Sequence, residues 1–201
     1  MVWAESALQF TFGEDWVVRR YDAHRYYRAI SGSDMKGVDF VGIYRDRFLL
    51  FIEVKNYTKR YGDALPARVP PLDNPAGFAR HLGRKWQDSL RAVRVFQLVL
   101  RRRWAYRLFY PLVGRLLAAE HDWRFWTRAH QLTQTPGAVH ALLWLELADR
   151  YPERERRYDR RARLRELATH LEATLPAGIS SVCINSTAAP PAPGLLRAER
   201  M

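Results

Sequence analysis

Two carboxylates and one amine in a short stretch of this chain have the types and spacing to do chemistry. The runs GVDFVGIY (37–44) and RFLLFIEVKNY (47–57) are rich in β-branched and aromatic residues and flank the polar triplet Arg45-Asp46-Arg47, which reads as a β-hairpin. A turn centred on Asp46 sets Asp39 directly across from Glu53. Opposed side chains of an antiparallel pair leave one face with their Cβ atoms about 4.5–5.5 Å apart. Lys55, two residues beyond Glu53, returns to that same face roughly 6–7 Å further along. Like charges held side by side in a poorly solvated place need a shared proton or a divalent cation. Oxygen ligands with no Cys or His nearby suit Mg²⁺, or Mn²⁺ as a similar ion. Such an ion can polarise a phosphodiester and activate water, while a nearby lysine orients that water or stabilises developing charge.

The elements that must position these groups follow from the pattern around them. Val38, Phe40, Phe48, Leu50, Ile52 and Val54 alternate with Val41, Ile43, Leu49 and Phe51, so both faces of the hairpin are apolar. They predict central strands with helices over each face. Residues 78 to about 130 read as helices, with Trp86, Leu90, Val93 and Gln97 at helical spacing. Leu108, Leu112, Leu116 and Trp123 continue beyond a break near Pro111. AVHALLWLEL (138–147) predicts a third buried strand, 157–175 a helix and ISSVCINST (179–187) a fourth strand. Residues 1–35 read as short helix and strand pieces, and 58–77, with four prolines, as a long irregular loop. These elements make one domain over 1–187, followed by a tail at 188–201 expected to be disordered.

Asp39 followed by Glu53-Val54-Lys55 after an apolar strand resembles the PD-(D/E)xK nuclease superfamily, the fold of many restriction endonucleases and DNA-repair nucleases. The resemblance covers directly about residues 36–57; Val38 stands where the name-giving proline often sits. It implies a restriction-endonuclease-like α/β fold, a mixed β-sheet flanked by helices on both faces. It also implies Mg²⁺-dependent hydrolysis of DNA, with Asp39 and Glu53 as metal ligands and Lys55 as the catalytic lysine. An auxiliary acid from a first helix would fall to Glu14 or Asp22. A helper from the helix after the hairpin would come from Lys85, Gln87 or Asp88. Lys85 is the favoured one, although facing solvent is the commoner fate of a helical lysine. The rival tripeptide Asp34-Met35-Lys36 lies in a Gly/Ser turn with no apolar strand leading to it. The alternative function is a catalytically inactive nucleic-acid-binding or assembly module with the same fold.

Composition agrees with a polyanionic partner. In 201 residues, 33 Lys+Arg outweigh 21 Asp+Glu by 12, which favours nucleic acid, DNA foremost, over an anionic membrane surface. Just four of the cations are lysines (Lys36, Lys55, Lys59, Lys85), so each marks a place where arginine was not chosen. Arg101, Arg102, Arg103 and Arg107, with Trp104 and Tyr106 alongside, form the cleanest candidate for gripping phosphates and stacking on bases. The arginines at 154–165 are interleaved with acids and make a weaker one. The same Arg/Leu/Trp segment, 101–126, also has the composition of a lipid-facing surface. The single Cys183 excludes an internal disulfide and multi-cysteine zinc or iron–sulfur motifs. The histidines are scattered and no Ser or Cys nucleophile signature occurs. With no apolar run of membrane-spanning length and no secretory leader pattern, the expected location is cytoplasmic. A homodimer would suit double-strand cleavage, but no residue identifies its contact surface.

Overall fold

The computed structural model describes residues 1–21, 24, 35–58, 68–148, 159–189 and 196–200. Its centre is the expected hairpin, β4 (Phe40–Tyr44) and β5 (Phe48–Tyr57), in antiparallel register with Phe40 opposite Ile52 and Tyr44 opposite Phe48. Arg45 and Asp46 take left-handed φ values of 50° and 53° at the turn, a conformation that disfavours ordinary side chains. They are tied down on both sides. Arg45 donates from Nε to Asp15 Oδ2 at 2.9 Å, and Arg128 donates from Nε to Asp46 Oδ1 at 3.0 Å.

Strand β3 (Trp16–Arg20) pairs antiparallel with β4, while β6 (Val139–Leu147) runs parallel to β5 and β7 (Ser181–Asn185) parallel to β6. This gives a mixed five-stranded sheet in the order β3-β4-β5-β6-β7, with β5 in the middle. Its faces are covered differently. Val41, Ile43, Leu49 and Phe51 pack into a core with Leu82, Trp86, Leu90 and Val93 of the helical layer. Phe40, Leu50, Ile52 and Val54 instead meet Leu8, Phe10, Phe12, Leu196 and Ala198. Those belong to a second, three-stranded antiparallel sheet: β1 (Val2–Glu5), β2 (Leu8–Phe12) and β8 (Leu196–Arg200). The α/β class and the mixed sheet match expectation, but helices on both faces do not: among the described residues, this small sheet takes the place of one helical layer. The stretch 196–200, read as part of a disordered tail, is a strand because Leu196 and Ala198 are buried against it. Val38 also departs from strict alternation. It precedes β4, joins the helical-side core, and its N–H bonds to Ser89 Oγ at 3.1 Å.

The helical layer begins earlier than the prolines suggested. Pro70 and Pro75 open α1 (Pro70–Asp73) and α2 (Pro75–Arg102), where a missing N–H is no loss, and Asn74 caps α2 by accepting from Gly77 N at 3.0 Å. Of the loop expected at 58–77, residues 59–67 lie outside the described residues. The 28-residue α2 ends at Arg102, and the extended ψ of 121° at Arg103 breaks the helix, so the break comes there and not at Pro111. Pro111 sits inside α3 (Trp104–Val113), and α4 (Asp122–Leu132) follows. Helix α5 (Arg160–Ala173) lies against α2. A Cβ on Gly83 would stand 2.7 Å from Thr174 O, so only glycine lets α2 approach the end of α5 this closely.

Candidate active site

Hairpin register brings the predicted groups together. Asp39 immediately precedes β4 and Glu53 lies on β5, one pair beyond Phe40 and Ile52. Glu53 is fully buried although its neighbours are apolar, and it is held by charge: Lys55 Nζ lies 2.5 Å and Lys85 Nζ 2.6 Å from its Oε1. Its other oxygen, Oε2, is buried with no hydrogen-bond partner among the described residues. Asp39 Oδ2 accepts from the Val54 N–H at 2.6 Å, which fixes the aspartate against the backbone between Glu53 and Lys55.

Electrostatics follow from this packing. Burial first, and then the charge of Glu53, push the Asp39 carboxyl up to about 6, against the opposing pull of Lys55, the Val54 N–H and Lys85. For Lys55, burial is the largest influence and acts to lower its pKa. The charge and hydrogen bond of Glu53, with Asp39 behind them, outweigh burial and raise it. Two carboxylates therefore face two ammonium groups, with Glu53 fully buried and Lys55 and Lys85 largely buried.

The helical contribution is the part that spacing alone left open. Lys85 does not face solvent; it comes off α2 onto Glu53. Asp88 accepts from the Lys36 N–H at 3.2 Å and pairs with Arg91 at 3.6 Å, so it secures the segment leading into Asp39. Among the described residues, nothing brings Gln87 into the cluster. His81, one helical turn before Lys85, is one of the histidines whose sequence spacing forms no motif. It lines a cavity of about 380 Å³ with Lys55, Tyr57, Pro70, Asn74, Gly77 and Phe78. Burial, then Lys36, then Lys85 lower its pKa. Lys36, the lysine of the rival tripeptide, thus belongs to the same neighbourhood. Lys55 and Lys85 meet at Glu53, Lys36 acts on the neighbouring His81, and Lys59 lies outside the described residues. The scarcity of lysine in an arginine-rich chain was the signal for this grouping.

The remaining candidates lie elsewhere. Glu14 is exposed in the turn between β2 and β3, beside Asp15 and the Arg45 end of the hairpin. That end is about 17 Å along β4 from Asp39 at ~3.3 Å per residue. Asp22 is outside the described residues, as are Arg154, Arg156 and Arg157; residues 1–21 form strands, not a first helix. Arg101, Arg102, Arg103, Trp104 and Arg107 are exposed around the junction of α2 and α3, whereas Tyr106, expected to stack on bases, is buried with its hydroxyl bonded to Gln97 and Thr127. Lys85 and Arg101 share one continuous helix, about 24 Å apart at ~1.5 Å per residue.

A divalent cation fits the donor set in part. Asp39 and Glu53 offer oxygen atoms of one hard type, and the partnerless Glu53 Oε2 is a buried acceptor that a cation would satisfy. Among the described residues there is no cluster of three or more His, Cys, Asp or Glu, so water and substrate oxygens would complete the shell, as is usual for Mg²⁺. Among known proteins, no family model, no curated protein and no solved structure matches this chain.

Proposed function

We propose that the chain is a Mg²⁺-dependent nuclease that hydrolyses phosphodiester bonds of DNA through Asp39, Glu53 and Lys55. The observation that carries this reading is Glu53: a fully buried carboxylate with two lysines on one oxygen and no partner on the other, facing Asp39 at a sheet rim. A cation held between the carboxylates would supply Lewis acidity toward a phosphoryl oxygen. Asp39 and Glu53 hold its position, and the Val54 N–H keeps the aspartate in place. Lys55, which lines the 380 Å³ cavity, orients the attacking water or stabilises charge that develops on the phosphate. Lys85 holds Glu53 Oε1 from the helical side and keeps the carboxylate positioned when Lys55 turns to substrate. Net charge of +12 favours approach of the polyanion.

One observation favours a second reading. Two carboxylates and two ammonium groups already neutralise one another, so the cluster could serve as a fixed ion network in a binding module that does not cleave. Cleavage of single-stranded, duplex and branched DNA and of RNA with Mg²⁺ separates the two, using the wild type, Glu53→Ala and Lys55→Ala. The nuclease reading expects metal-dependent cleavage that falls at least a hundredfold in both variants. Salt-sensitive binding with no cleavage by any form supports the binding module, and cleavage unchanged in both variants removes this site.

A further inference from the structure

We propose that α3 and the turn after it dock the protein on an anionic lipid surface. Trp104, Leu108 and Leu112 follow at i, i+4 and i+8 along α3 with Phe109 beside them, and Leu116 extends the stripe into the turn. They are 73, 57, 75, 46 and 84% exposed respectively. A contiguous apolar stripe of this kind is unusual on a surface that meets only water. Its outward orientation is fixed from behind. The Tyr106 hydroxyl accepts from Gln97 Nε2 at 3.2 Å and shares a 2.8 Å hydrogen bond with Thr127 Oγ1, both in the buried layer. The Tyr106 ring stacks on Tyr110 at 4.7 Å and meets Trp123 edge-on at 5.7 Å. Rotating the leucines inward would bury fewer ring contacts and strand three polar groups.

Charge selects the occupant. From Ser89 to Ala119 the chain has seven arginines and no acid, and Arg101, Arg102, Arg103, Arg107 and Arg115 are exposed around the stripe. A second copy seated on the same stripe would press two acid-free arginine sets together. A nucleic acid would match the arginines and Trp104, but it offers the aliphatic Leu108, Leu112 and Leu116 no stacking plane. An anionic bilayer satisfies both halves: leucines and Phe109 enter the acyl boundary, Trp104 sits at headgroup depth, and arginines meet lipid phosphates. No helix among the described residues is long and apolar enough to cross a membrane, so α3 would lie in the interface plane. The carboxylate site, about 24 Å along α2, stays clear of that contact.

Flotation of the full chain with phosphatidylcholine vesicles, and with vesicles containing 30% phosphatidylglycerol, tests this, with a single-stranded oligonucleotide as a parallel ligand. Binding to the anionic vesicles alone is expected, weakened about fivefold by each of Arg102→Gln and Arg107→Gln and at least tenfold by Leu108→Ser with Leu112→Ser. Circular dichroism of these surface variants should match the wild type. The inference is overturned by absence of flotation or by equal binding to neutral vesicles. Loss of oligonucleotide binding in the leucine variant without any vesicle binding, or a dimer that the leucine variant dissociates, also overturns it.

Discussion

The two ends of α2 invert the usual rule of burial in opposite senses. In its first half, Lys85 reaches into the interior to meet a fully buried glutamate; just past its end, five large apolar side chains of α3 and its following turn stand in water. Neither arrangement is what stability alone selects. Burying ions costs more than burying methyl groups, and exposing leucines forgoes burial that was within reach. The same helix thus separates a place where charge is concentrated from one where apolar surface is kept free. We propose chemistry at the first and docking at the second.

The comparison breaks first at Glu53. Replacing it with alanine leaves Lys55 and Lys85 facing each other with Asp39 as the remaining carboxylate of the cluster, and urea unfolding should show a loss of about 3–5 kcal/mol. A loss below 1 kcal/mol would mean the charges are effectively solvated. Asp39 gives the next largest effect. Its folded value of about 6 lies above the ordinary 3.8, so ionisation weighs against the folded state. This stabilising contribution is complete below about pH 4 and lost as pH rises through 6, by up to about 3 kcal/mol in metal-free protein. Urea midpoints between pH 4 and 7 should show this decline, and Asp39→Asn should flatten it.

How much of this was legible in the residues themselves depends on the range of each contact. The hairpin register could be read because one turn centre at Asp46 determines every cross-strand partner, including the meeting of Asp39 and Glu53. The arrival of Lys85 could not, since it depends on how α2 is rotated and how closely Gly83 lets it approach α5. The prolines at 70 and 75 carry two meanings, loop and first helical position, and only the chain's path chose between them. The second sheet escaped because β2 pairs with β8 from the opposite end of the chain. Its one local trace was the alternation of buried Leu8, Phe10 and Phe12.

Gly83→Ala sharpens the comparison by moving α2 as a whole. Its Cβ meets a backbone oxygen that cannot rotate away, so a loss of about 2 kcal/mol is expected in thermal unfolding. A neutral or stabilising result would mean that α2 has room to shift and that Lys85 is less firmly aimed. At the other end, Tyr106→Phe leaves Gln97 and Thr127 without their shared hydroxyl and should cost about 1 kcal/mol in chemical denaturation. Leu112→Ser lies at the bottom of the scale, within about 0.5 kcal/mol of the wild type, because its side chain contributes little to the core. A loss above 1 kcal/mol would show that the stripe is covered in solution and would dissolve the contrast.

The central claim is that Asp39 and Glu53 jointly take a divalent cation, and Mn²⁺ titration followed by electron paramagnetic resonance at pH 7.5 tests it most directly. The account predicts one bound Mn²⁺ per chain, displaced by Mg²⁺, weakened as pH falls through 6 and abolished in Asp39→Asn. Absence of binding, or binding that Asp39→Asn and Glu53→Gln leave unchanged, would contradict it.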